Sequence, residues 1–377
     1  GPTPAESPWL ERPDILKSLL KFWQNHPGLS YLFSSIFIGP TSQAPRIDEA
    51  RHESLNELEI SLKQFNKNIH KTPWMIDRLL RNILVDLVGN THRTEICIDK
   101  LYNPEGETGR LGLVEFRGFE MTPHAKMNLV QILLIRALIT SFMEKPYEGK
   151  LIRWGTSLHD RFMLPHFVWN DFLEVIDYLN LNGFKFDAEW FIPQREFRFP
   201  IYGKKQVGDV EIELRMGLEP WPVLGEENIA GTTSRGVDSA LERVQVKVKG
   251  LDNNRYALAC NGYRVPLQNT GVEGEQVAGI RFKAWEPVLT MHPNLKKDSP
   301  LTFDIVDCYN EVSVGGCRYH IEHPGGNNYE SLPINVYEAE GRMLARFEKI
   351  GHSPEKIKLR KPNLSPDFPY TLDLRLA

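Results

Sequence analysis

The chain has little of what marks several protein classes. Only four cysteines occur in 377 residues, Cys97, Cys260, Cys308 and Cys317, and none forms a CxxC pair. Neither a disulfide framework nor a cysteine zinc site follows, and reduced thiols in a cytoplasmic protein are the expectation. No sign of charge dominates: 45 Lys and Arg stand against 49 Asp and Glu, a net charge of -4. A bulk basic field for nucleic acid and a polybasic segment for an anionic membrane are therefore not expected as partners. No uninterrupted apolar run of about 18 residues suggests a membrane span. No charged-then-apolar leader opens the chain. The glycine pairs Gly315-Gly316 and Gly325-Gly326 lack the following helix and lysine of a phosphate loop, so they read as turns. There is no internal repeat and no low-complexity tract.

What is present is globular. Hydrophobic residues make up 41% and aromatic residues 10% of the chain, enough for a sizeable core, and the length favours two domains. Pro13 starts a helical pattern of Ile15, Leu16, Leu19, Leu20, Phe22 and Trp23, expected to stop near His26-Pro27-Gly28. Tyr31–Ile38 is apolar and reads as a helix end or a strand, followed by the loop Gly39–Arg51. Leu55–Leu62 alternates, with Leu58, Ile60 and Leu62 on one side and Glu57 and Glu59 on the other, and predicts a half-buried strand. Pro73–Leu87 predicts a helix closed by Gly89-Asn90. Two further alternating strands follow, His92–Lys100 and Leu111–Glu120, then a buried helix over Met127–Phe142 and another over Asp171–Asn182. Phe197–Leu218 holds two short strands. Pro220–Gly236, rich in Gly, Pro and Thr, is the best domain boundary. Beyond it, short strands at Arg243–Lys249, Tyr256–Cys260, Gly279–Ala284, Leu301–Val306, Gly316–Ile321 and Ile334–Ala339 suggest a β-sandwich.

The stretch Gly109–Pro123, GRLGLVEFRGFEMTP, organises the first module. It sets Glu115 and Arg117 one strand period apart, opposite Val114 and Phe116. Glu57/Glu59, Arg93/Glu95/Asp99 and Glu115/Arg117 are the wet faces of three strands with short connections. If these strands are neighbours, carboxylates and guanidiniums converge on one surface. Carboxylates on rigid strands suit Mg²⁺, and interleaved arginines suit phosphate oxygens. The same alternation also serves a solvated sheet face with cross-strand Glu–Arg pairs.

Other groups carry weaker signals. His159 and His166, in LHDRFMLPHFVW, are seven residues apart across a proline, better suited to loop packing than to a metal pair, with a lid as the functional alternative. His320 and His323 lack the further ligands a zinc site needs. Cys97, near His92, could be a thiol nucleophile, but a mid-strand position is not where thiolates are activated. Glu211, Glu213 and Arg215 fit a charged edge strand.

Val114–Ile139 resembles the late segment of the glutamine synthetase catalytic domain, in which a Glu-x-Arg strand precedes a turn and a buried helix. GNTHRTEICID (Gly89–Asp99) resembles that family's Arg-bearing strand, and GPTSQAPRIDEAR its loop with a substrate-contacting arginine. More closely, SYLFSSIFIGPTSQAPR, LHDRFMLPHFVW, GLVEFRGFEMTPHA and HPGGNNYE resemble the C-terminal part of a bacterial family of amidoligases, often found downstream of a transglutaminase-like domain. That resemblance spans nearly the whole chain.

The resemblance implies an α+β fold: an antiparallel glutamine synthetase-like catalytic sheet with packed helices over 1–225, followed by a β-sandwich-like domain over 237–377. It implies an ATP- and Mg²⁺-dependent carboxylate–amine ligase working through an acyl phosphate, with acid and amine substrates that include peptide-like ones. Glu115, with Glu95 beside it, would hold the metal. Arg117 and Arg93 would stabilise the phosphoryl group, and Arg46 would grip the acid. The family's catalytic domain begins before the point that matches residue 1. The resemblance therefore implies that this chain carries part of the site, is inactive alone, and works with upstream domains of the same polypeptide. Two other readings stay open: a non-catalytic protein- or peptide-binding module, and a thiol hydrolase using Cys97.

Overall fold

The computed structural model describes residues 7–34, 47, 51, 54–65, 69–86, 89–91, 94–106, 108–219, 240–284, 294–322 and 329–377. The protein is α+β, with two compact units. One comprises residues 1–158, 167–198 and 221–237; the other comprises 159–166, 199–220 and 238–377. The expected boundary segment, Pro220–Gly236, lies outside the described residues.

The first unit is built on helices. Pro13 occupies the first turn of the Pro13–Asn25 helix, where its missing N–H costs nothing. Leu16, Leu19, Leu20, Phe22 and Trp23 on that helix are at most 2% exposed. Pro27 then opens a second helix, Pro27–Phe33. Its backbone approaches the Pro165–Leu181 helix so closely that a Cβ on Gly28 would meet Asp171 Oδ2 at 2.6 Å and the Val168 carbonyl oxygen at 2.7 Å. Only glycine fits there.

Phe22 packs against Phe142, Tyr147 and Tyr178 at centroid distances of 5.4, 5.1 and 4.8 Å. Phe33 packs against Phe119 and Phe172 at 5.2 and 5.6 Å. These rings bring large apolar areas together in offset and edge contacts.

Leu55–Lys63 is a helix, not the expected strand. Leu55, Leu58 and Leu62 are buried at helical spacing, while Ile60 is 61% exposed. An i, i+4 leucine pair fits both periods, and Leu55 decides for the helix. Glu57 and Glu59 thus leave the proposed sheet face, and Glu59 pairs instead with Arg153 at 2.9 Å and Lys63 at 3.4 Å. The expected Pro73–Leu87 helix is regular over Trp74–Leu80, with turns beyond it.

The two charged strands shrink to a short ribbon of β1 (Ile96–Cys97) and β2 (Glu115–Phe116), paired antiparallel. Residues 94–98 are buried on both faces, so the alternation there does not separate a wet side from a dry one.

The Ala125–Glu144 helix follows, capped by His124 Nδ1, which accepts from the Lys126 N–H at 3.1 Å. By length and composition alone it is apolar enough to cross a membrane, since Gln131 and Arg136 interrupt it too sparsely to prevent that. Its inward residues Leu134, Leu138 and Phe142 are fully buried in the unit. Gln131 Nε2 donates to Gln194 Oε1 at 3.1 Å. Leu129 and Leu133, expected in the core, are 65% and 44% exposed.

The second unit carries two sheets. β3 (Ile201–Val207) and β4 (Val210–Met216), read from sequence with the first module, pair here with β5 (Leu241–Lys249). The sheets draw further on β6 (Tyr256–Cys260), β7 (Tyr263–Arg264), β8 (Gln268–Asn269), β9 (Glu275–Lys283), β10 (Leu301–Asp307), β11 (Val312–Tyr319), β12 (Phe347–Glu348) and β13 (Thr371–Asp373).

One sheet runs β13-β9-β5-β4-β3, with β8 also on β9; the other runs β12-β11-β10-β6-β7. Pairing is antiparallel except for β13 on β9. Ile212, Val246 and Ile280 from the first sheet share one buried cluster with Leu258, Phe303 and Cys317 from the second. Alternate residues along each strand supply it.

Ile334–Ala339, expected as a strand, belongs to the Val336–Leu344 helix. Asn335 Oδ1 accepts from the Glu338 N–H at 2.9 Å, and the Glu338 carboxylate accepts from the Ile334 N–H at 2.8 Å. These two caps at the helix start override the local β-branched residues.

Candidate active site

Phe116 and Phe119 turn inward onto Trp23, at centroid distances of 6.0 and 5.9 Å. This anchoring fixes the other side of the segment, which carries Glu115 and Arg117. The Arg117 N–H donates to the Glu95 carbonyl at 2.8 Å, extending the register one residue past the ribbon.

Glu115 lies between two cations. Arg117 Nε approaches its Oε1 at 3.2 Å, and Lys100 Nζ donates to its Oε2 at 3.3 Å. Arg117 Nη1 also donates to the Thr91 carbonyl at 3.0 Å, which orients the guanidinium. Hydrogen bonding from Arg117 holds the Glu115 carboxyl below its ordinary range, against a smaller opposing effect of burial. The Glu115 side chain is 36% exposed, so its carboxylate is ionised and reachable.

Glu95 has a different environment. Its carboxylate accepts from Arg51 Nη1 at 2.6 Å, and the two side chains are 6% and 0% exposed. Arg51 also donates to the carbonyls of Ile47 and Trp23, both at 2.8 Å. The ribbon thus brings Glu115 and Arg117 together and turns the Glu95 side chain to Arg51. Arg93 and Arg46 lie outside the described residues.

Several contributors were not singled out from sequence. Lys100 ends the alternating stretch His92–Lys100 and lies three residues past β1. Arg51 closes the same quoted loop as Arg46, and it is buried. Glu120, three residues after Arg117, is pushed up by burial, with Arg198 opposing that rise. Arg198 is itself pushed down to about 10 by burial, with Glu120 opposing.

Cys97, His320 and Glu213 have the following surroundings. Burial pushes the Cys97 thiol up to about 11, with an Asp99 backbone hydrogen bond opposing, so little thiolate exists at neutral pH. Asp160, between His159 and Arg161, is 2% exposed. It accepts from the Thr371 hydroxyl at 2.7 Å and the Tyr370 N–H at 3.1 Å, pinning its loop within the second unit. His320 Nε2 lies 3.2 Å from Glu348, and His323 is outside the described residues. Glu213 pairs with Lys204 and Arg215 in the β4 region.

The donor set at Glu115 fits a metal–nucleotide phosphate in kind. One ionised carboxylate suits a hard cation that takes its other ligands from phosphate and water, and two neighbouring cations suit phosphate oxygens.

Residues 1–375 match the family described as "Putative amidoligase enzyme (DUF2126)", and the chain belongs to that family. Neither the curated proteins nor the solved structures yield a match to it.

Proposed function

We propose that this chain supplies part of the active site of an ATP-dependent carboxylate–amine ligase. The observation that carries the reading is the half-exposed Glu115 carboxylate held between Arg117 and Lys100, in a chain of an amidoligase family. Glu115 would hold the Mg²⁺ of Mg-ATP, and the ion would neutralise charge on the phosphates. Arg117 and Lys100 would face the transferring phosphoryl oxygens. Because both are already fixed by Glu115 and Thr91, they would need little reorganisation as charge develops.

In the first step a substrate carboxylate oxygen bonds to the γ-phosphorus as the bridging oxygen leaves with ADP. In the second, an amine nitrogen bonds to the acyl carbon, phosphate leaves, and the nitrogen loses a proton. Arg93 and Arg46 are assigned to phosphate and acid by resemblance. Glu95 serves this site by ordering Arg51 and the ribbon, and would ligate metal only on releasing Arg51. The ribbon is read as the late part of a glutamine synthetase-like sheet, and the two-sheet unit as a β-sandwich-like domain.

Titration calorimetry of the folded chain with Mg-ATP tests this reading. Saturable heat that E115Q removes supports it; no heat from a folded chain overturns it. A second reading, a protein- or peptide-binding module, draws on the Val336–Leu344 helix, which buries none of its residues. Val336 and Tyr337 are 78% and 84% exposed there.

A further inference from the structure

A cavity of about 430 Å³ opens in the first unit beside the Pro13–Asn25 helix, away from the residues that hold Glu115. Lys17 and Lys21 line it from one helix face, one turn apart. Phe65, Ile69 and Tyr147 supply an apolar wall, and Glu148 stands at the same cavity. Arg12 also lines it, but its Nε and Nη2 are committed to Asp14 at 3.0 and 2.7 Å. Lys17 and Lys21 make no such ion pair among the described residues.

Like charges at i, i+4 repel along a helix. Burial lowers the Lys21 pKa; Glu148 opposes that fall, and Lys17 adds to it more weakly. The wall is held in place: the Tyr147 N–H donates to Ser18 Oγ at 3.0 Å, and Asn25 Nδ2 donates to the Tyr147 hydroxyl at 3.0 Å. A concave site of this size, with a few convergent polar groups on an apolar wall, is of the kind that takes small molecules.

We propose that this cavity binds a small organic anion, its carboxylate or phosphate group between Lys17 and Lys21 and its apolar body against Phe65, Ile69 and Tyr147. The ligand relieves the repulsion between the lysines and covers the ring face. The site is independent of the Glu115 reading.

Calorimetry of the full chain at low ionic strength, with phenylacetate, phenyl phosphate and inorganic phosphate as probes, tests it. One of the two aromatic anions binds saturably at one site, at least about tenfold more tightly than inorganic phosphate. The tighter of the two identifies the headgroup. Affinity falls at least about tenfold in K17Q/K21Q and is unchanged in E115Q. Absence of saturable binding up to about 10 mM, or unchanged affinity in the double variant, overturns the proposal.

A measurement on the unaltered protein stands beside the variants. The aromatic anion protects Lys21, but not the exposed Lys126, from acylation. Equal protection of both, or of neither, overturns the proposal as well.

Discussion

Two Glu–Arg pairs sit at the ribbon, and they differ in almost every physical respect. Glu95 and Arg51 are shut away at 2.6 Å, and Arg51 spends further donors on backbone carbonyls. Glu115 and Arg117 meet at 3.2 Å with the carboxylate a third exposed and a lysine on its other side. A buried ion pair fixes a fold, because losing one partner strands a charge. A half-exposed pair adds little stability and leaves its oxygens open to a ligand. The difference suits the first pair to architecture, and the proposed chemistry rests on the second.

The sharpest way to break that division is to remove Glu95. Glu95→Ala leaves Arg51 buried without its counter-ion, and a loss of about 3–5 kcal/mol in unfolding free energy is expected. Denaturant melts of E95A and the wild type measure it. A loss no larger than that of E115Q would show that the two pairs are equivalent.

Cys97 marks the border between the pairs, because it lies opposite Glu115 in register and two residues from Glu95. Its thiol, raised from 9.0 to about 11, holds about 100-fold less thiolate than an unperturbed one at neutral pH. Iodoacetamide should therefore alkylate the exposed Cys308 well before the buried Cys97. Equal rates, followed by peptide mass spectrometry, would show that the ribbon interior opens to solvent and would revive the thiol reading.

On the outer side, E115Q should cost less than about 1 kcal/mol of stability. It should still weaken Mg-ATP binding by at least about tenfold. Calorimetry and a melt on the same preparation separate the two quantities. A large stability loss with unchanged binding would reverse the assignment.

Parts of this contrast were legible in the sequence. Glu115 and Arg117 were visible as a period-two pair opposite Val114 and Phe116, and Phe116 does face Trp23. The Pro13 helix was visible because its proline and apolar spacing agree. Leu55–Lys63 was misread because Glu57, Leu58, Glu59, Ile60 and Leu62 alternate as a strand would, while the deciding Leu55 stands outside the alternation. The Val336–Leu344 helix was misread because β-branched residues outweighed the Asn335-to-Glu338 capping signal. The burial of Glu95 had no local signal at all. It depends on Arg51, 44 residues earlier, and on the carbonyl of Trp23. Spacing reports which side a residue faces; it does not report what has been folded over that side.

The smallest expected effect is also the most direct reading of the outer pair. Hydrogen bonding from Arg117 lowers the folded-state pKa of Glu115. A depressed carboxyl pKa means that the unfolded chain binds the proton more tightly. The contribution of Glu115 to stability is therefore complete above the ordinary Glu value of about 4.3. It is lost as pH falls through the lower, folded-state value. The wild type minus E115Q difference should hold steady from neutral pH down to about 4.3 and shrink toward zero as pH falls on through the folded-state value. Its plateau stays under about 1 kcal/mol for so exposed a pair, and added salt reduces it further by screening. A difference that grows on acidification would mean that Glu115 is protonated more readily in the fold than out of it. A carboxylate of that kind could not be the standing anion that the proposed metal–phosphate site requires.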